Sequence, residues 1–426
     1  MDRSGRVFSR REWLRATVGA GVAFGLAGPL ATACGSAGPD RLVLPEATDA
    51  VTPFALRVPE GVLDDLRRRL AATRWPERET VPDSAQGPQL DRVRRLVAHW
   101  STEYDWRKAE ARLNGAGQFR TRLDGLGIHF LHARSRHENA FPLLLTHGWP
   151  GSVVEFLGLV GPLTDPTAFG GSAGDAFHLV VPSLPGFGFS DKPAAAGWNS
   201  ERIARAWAEL MNRLGYPRYL AQGGDWGADV TARLAKLKPA NLTAIHLNFF
   251  GMFSPPVAGE PNPEERVALA SLRRFGTDGF GYFAEQGTRP QQVGYGLTDS
   301  PAGQAAWIYE KFTEWTDSNR DPEALLGYDH LLDNIMLHWL PATAASSARI
   351  YWENFKAGDV TGPFGVPVGF SAFPKEILPM PRVWAERVFR DKLVYFNQVD
   401  RGGHFAALEQ PALFAEELRK FARLFR

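Results

Sequence analysis

Asp225 sits in the run GGDWG, with Gly223 and Gly227 two residues to either side, where an apolar segment (YLAQG) meets a helical one (ADVTARLAKLK). Glycines at that spacing let the chain turn sharply from strand to helix and lift the central side chain above the sheet edge. A serine in such an elbow needs a base before it can attack a carbonyl. An aspartate is already ionised and can attack a saturated carbon directly, leaving an alkyl ester on the enzyme. Asp is also a preferred helix N-cap. The paired glycines and the loops described next favour the nucleophile.

Turning over such an ester needs an activated water and donors for an oxyanion. His404, in DRGGHFAALEQP, follows the last apolar strand, and the chain order nucleophile, acid, histidine suits a base that deprotonates water. A carboxylate should orient its ring. Glu376, in GFSAFPKEILP, stands just past an apolar strand, with Asp359 and Asp391 as competitors on spacing. THGWPGS (146–152) follows an earlier strand and is placed to offer the Trp149 amide to an oxyanion, paired with the Trp226 amide after the nucleophile. His147 reads as a second base or as a residue that fixes this loop. We expect the second, because His404 is the better-placed base.

These loops need a scaffold. The chain has 426 residues, 44% hydrophobic and 22% charged, with net charge +1, which supplies a large core and excludes polyanion binding by bulk charge. One cysteine excludes a disulfide framework and a cysteine zinc site. No metal or cofactor is expected. Within 51–140, VLDDLRRRLAATRW and DRVRRLVAHWSTEY read as helices, and FRTRLDGLGIHFLHAR as a hairpin turning at Asp124-Gly125. From 141 onward short apolar strands alternate with helices, which predicts an α/β fold with a doubly wound, mostly parallel sheet. An aromatic-rich helical insertion at about 250–345 interrupts it as a cap.

Residues 1–33 carry Arg10-Arg11, then Trp13, Leu14 and a Gly/Ala-rich apolar run, similar to a twin-arginine export signal. The run is short and broken by glycines, poor material for a permanent membrane helix. Cys34 follows Ala31-Thr32-Ala33 and is a lipidation candidate, with 34–50 as a tether. The expectation is an exported protein, periplasmic or extracellular, handled by the twin-arginine machinery and tethered through Cys34 if lipidated.

HGWPGS, PGFGFSDKP, GGDWG, GFSAFP and RGGHFAA, in this order, resemble the microsomal-type epoxide hydrolases of the α/β-hydrolase superfamily. DDLRRRLAATRWP and YDWRKAEARLN resemble that family's N-terminal domain. The likeness spans about 51–425. It implies an apolar epoxide opened by Asp225 to a hydroxyalkyl ester, which His404-activated water hydrolyses to a vicinal diol, with Glu376 as the acid partner. It also implies two cap tyrosines donating to the epoxide oxygen, Tyr282 in DGFGYFAEQGT and Tyr351 in SSARIYWENF. On residue types alone, Tyr309 and Tyr295 are equal candidates. A phenol of ordinary acidity, near pKa ~10, suits that donation. The family's animal members keep a membrane anchor, which this leader does not resemble. Two rival functions remain: a haloalkane dehalogenase with the same nucleophile, and a non-catalytic lipoprotein that binds apolar ligands.

Overall fold

The apolar segments assemble into one nine-stranded sheet of order β1-β2-β3-β5-β4-β6-β7-β8-β9 in the computed structural model. It describes residues 42–426 apart from 252–258, 356, 358, 359 and 361; the leader, Cys34 and Asp359 lie outside the described residues. The strands are β1 (Thr52–Pro53), β2 (Gln118–Leu123), β3 (Leu126–Ala133), β4 (Phe141–Thr146), β5 (Phe177–Pro182), β6 (Tyr219–Gly223), β7 (Leu242–Leu247), β8 (Val368–Ala372) and β9 (Leu393–Gln398). Neighbours from β5 to β9 run parallel, and β1, β2 and β3 add antiparallel pairs at one edge. Every residue of β4 and β6 is buried, as expected of central strands covered on both faces. The fold is an α/β-hydrolase fold with an N-terminal extension.

The β2–β3 turn has Asp124 and Gly125 both at positive φ, +48° and +79°. A two-residue turn of this kind requires that of both central positions, and it sets the register Leu123 opposite Leu126. The hairpin continues the hydrolase sheet, pairing β3 with β5, although the sequence groups it with the segment before residue 141. The first helix, Glu60–Ala71, buries Val62, Leu66 and Leu70 on one face.

Between β7 and β8 lies the helical insertion, with helices Pro263–Arg274, Gly281–Thr288, Pro290–Asp299, Pro301–Trp315, Pro322–Trp339 and Ala344–Phe355. Helix Ala344–Phe355 extends it about ten residues past the expected end. Its buried face, including Ile350 and Tyr351, packs on the cap helices Gly281–Thr288 and Pro290–Asp299. The N-terminal extension braces this cap. Helix Leu90–Thr102 packs on Pro301–Trp315 and Pro322–Trp339, the Tyr104 hydroxyl donates to Asp333 at 2.8 Å, and His99 meets Asp329 at 2.7 Å. Among the described residues no helix is long and apolar enough to cross a membrane.

Candidate active site

β6 ends at Gly223, and the helix Asp225–Leu237 begins at once, with Asp225 itself held at φ +48°. A non-glycine residue in that region costs about 1–3 kcal/mol and persists only where its surroundings enforce it. Two glycines make the enforcement possible. A Cβ on Gly227 would run into the Thr146 carbonyl at the end of β4, and one on Gly148 into the Asp225 carboxylate. The elbow is therefore pressed against the THGWPGS loop. There the Trp149 N–H donates to Asp225 Oδ1 at 2.8 Å. Trp226 follows in the first turn of the helix, where an amide has no intrahelical acceptor.

His404 completes the constellation. Its Nδ1 meets Glu376 Oε1 at 2.8 Å and Oε2 at 3.0 Å, and its Nε2 stands 3.3 Å from Asp225 Oδ2. Glu376 and His404 are both buried. The loops that carry them are tied together, since the Lys375 N–H donates to the Gly402 carbonyl at 3.1 Å. Burial pulls the His404 pKa down, but Glu376 and Asp225 outweigh it and leave the imidazole well above its ordinary 6.5. At rest the histidine is a cation between two carboxylates.

Tyr282 and Tyr351 roof this group from the cap. The Tyr282 ring stacks on Trp149 at 5.1 Å between centroids, and Tyr351 stands edge-on to Trp226 at 4.9 Å and to Tyr282 at 5.7 Å. The Tyr351 hydroxyl is buried without a hydrogen-bond partner among the described residues. Both phenols are pushed well above their ordinary 10, first by burial; Asp225 adds to it in each, and Tyr282 adds to it at Tyr351. The expectation of ordinary acidity fails because both rings are buried and a phenolate would also face the Asp225 charge. Both stay protonated donors.

The competitors fall elsewhere. Tyr309 donates to Glu323 at 2.7 Å, Tyr295 is exposed, and Asp391 pairs with Lys392 at the surface. His147 is tied by both ring nitrogens, Nδ1 to the Gly148 carbonyl at 2.9 Å and Nε2 to the Leu184 N–H at 3.2 Å, and burial lowers its pKa to about 4. Two residues escaped the sequence reading. Glu409 accepts from the Asp317, Gly403 and Phe405 amides at 2.7–2.9 Å, fastening the His404 loop to the cap. Glu155 lines the cavity behind Asp225. A single charge within VVEFLGLVG was the available signal for it. No group of three or more His, Cys, Asp or Glu among the described residues could hold a metal ion.

The chain as a whole resembles known proteins. The family model for the epoxide hydrolase N terminus matches residues 51–156, and that for the alpha/beta hydrolase fold matches 142–276. The chain is 34% identical to epoxide hydrolase 1 of Sus scrofa over 406 residues, covering 88% of this chain and 89% of that one. The chain belongs to the epoxide hydrolase family. A protein of Stigmatella aurantiaca whose name proposes an epoxide hydrolase is 62% identical, over 88% of this chain and 86% of that one. Among solved structures, the Aspergillus niger epoxide hydrolase superposes with a TM-score of 0.79 at 34% identity, covering 89% of this chain and 98% of that one. This epoxide hydrolase family member is thus a hydrolase of the α/β-hydrolase superfamily, and neither rival function finds support.

Proposed function

We propose that the protein converts an apolar epoxide to a vicinal diol through an ester on Asp225. Two buried phenols, packed on the Trp149 and Trp226 rings next to Asp225 and kept protonated, carry the assignment: they supply the O–H donors that a ring oxygen becoming an alkoxide needs. Tyr282 and Tyr351 hold the epoxide oxygen. An Asp225 oxygen attacks one ring carbon, the ring C–O bond breaks, and the alkoxide takes a phenol proton. Esterification removes the Asp225 charge that helped keep His404 cationic. His404 then gives up its proton and the phenolate regains one, so both groups are neutral before the second step. Neutral His404, oriented by Glu376, draws a proton from water as the water oxygen adds to the Asp225 carbonyl carbon. The Trp149 and Trp226 amides take up the oxyanion, and collapse releases the diol.

One oxygen of the diol therefore comes from Asp225, and the water oxygen stays in the carboxylate. A single turnover in 18O-water, with enzyme in excess, should give unlabelled diol, and repeated turnovers labelled diol. Label in the first-turnover diol would mean direct attack by water and end the scheme.

For the leader we propose export by the twin-arginine machinery and a lipid tether on Cys34. Arg10-Arg11 and the small residues before Cys34 support it. Cell fractionation of the wild type and of an R10K/R11K variant tests the first, and the mass of the mature N-terminal peptide tests the second.

A further inference from the structure

A cavity of about 20 Å³ lies behind the nucleophile, bounded by Thr146, Glu155, Gln222, Asn248, Asp225 and His404 among others. A water needs roughly 10–15 Å³ measured this way, together with two to four polar partners. The walls supply them. Thr146 Oγ1, Glu155 Oε1 and Gln222 Oε1 are all buried with no hydrogen-bond partner among the described residues. Gln222 Nε2 is already spent on Asn248 Oδ1 at 2.8 Å, which leaves its carbonyl oxygen to accept. Glu155 belongs to the turn Val153–Phe156, and its Oε1 lies over Gly151, where any Cβ would collide with it. A carboxyl oxygen that takes up a side chain's space to reach this wall, and stays unpartnered while the group is held through the Ser152 backbone, wants a ligand there.

We propose that Glu155 holds the hydrolytic water in this cavity, steadying it beside His404 Nε2 for attack on the Asp225 ester. The inference rests on the two-step reaction proposed above. In the step it serves, the water oxygen bonds to Cγ of Asp225 while its proton passes to His404 Nε2. The bond from Cγ to the hydroxyalkyl oxygen then breaks, that oxygen takes the proton back from His404, and the acid left on Asp225 passes its own proton to His404, restoring carboxylate and cation. Burial lifts the Glu155 pKa to about 8; His404 opposes this, and Asp225 adds to it. At neutral pH Glu155 is therefore an uncharged acid, with one donor and one acceptor for water and no charge set against the oxyanion. An amide offers the same pair.

Glu155→Gln should accordingly keep hydrolysis within about 10-fold of wild type, whereas Glu155→Leu should slow it roughly 100-fold. Alkylation should change by no more than about 3-fold in either, so in Glu155→Leu kcat and KM fall together and kcat/KM holds. The measurement is the fraction of enzyme carrying the epoxide adduct at steady state, by intact mass after acid quench, with both kinetic constants. Glu155→Leu should accumulate adduct; Glu155→Gln should not. Should Glu155→Leu fail to fold, Glu155→Ala, which only enlarges the cavity, is read in the same way. Wild-type hydrolysis in the apolar variant, parallel loss of both steps, or a glutamine variant as impaired as leucine would each overturn the proposal. His404→Gln runs beside them. If it traps adduct and the apolar variant does not, the water-holding role alone falls; if it traps none, the two-step reaction falls with it.

Discussion

The charge on His404 is set by what Asp225 is doing. At rest two carboxylates hold the imidazole protonated; once Asp225 is an ester only Glu376 remains, and the ring can act as a base. Asp225→Asn copies the neutralised nucleophile without a substrate. In that variant the His404 pKa, followed by NMR, should drop from its position in the wild type. An unchanged value would mean that Asp225 does not govern the base. Residue types and order were enough to nominate Asp225 and His404, each following an apolar strand, whereas Glu376 stood level with Asp359 and Asp391 until the family likeness singled it out. Glu155 and Glu409 were not legible, since a buried carboxyl group is recognised by its surroundings and these come from distant segments. For the same reason the sequence left Tyr282 and Tyr351 level with Tyr295 and Tyr309 until the family likeness separated them.

At the scale of elements, the elbow works because β4 and the helix after β6 approach within a glycine's width. Gly227→Ala puts a methyl group against the Thr146 carbonyl, which is backbone and cannot rotate aside. It should cost roughly 1–3 kcal/mol in urea denaturation and displace the Trp149 amide from Asp225, lowering activity as well. A fully stable, fully active variant would show that the close approach is not needed. The alternating strands and helices after residue 141 were readable from apolar runs of four to eight residues. Two features were not. β1 is only two residues long, and its pairing with β2 depends on contacts 66 or more residues apart in the chain. The cap's last helix carries the same helical pattern as the elements around it, so its membership is decided by packing.

Across the whole molecule, the buried site sets a cost on ionisation. Burial raises Glu155 to about 8 and Glu409 to about 7, both from an ordinary 4.5. In the unfolded chain each ionises near 4.5, so their stabilising contribution is complete below that pH. It falls as pH rises toward 7 for Glu409 and 8 for Glu155, by up to about 1.4 kcal/mol per pH unit for each group. Urea midpoints measured across this window should decline in the wild type and decline less in a Glu155→Gln, Glu409→Gln double variant. Equal slopes would mean that both carboxyl groups ionise freely in the fold. The sheet, the cap and the N-terminal brace together hold Asp225 between His404 and two buried phenols, an arrangement that serves an ester. Intact mass of His404→Gln after incubation with epoxides and haloalkanes tests it most directly. The account predicts an adduct of one whole epoxide, localised to the Asp225 peptide. A haloalkane adduct lighter by HX with none from epoxides, or no adduct at all, would contradict it.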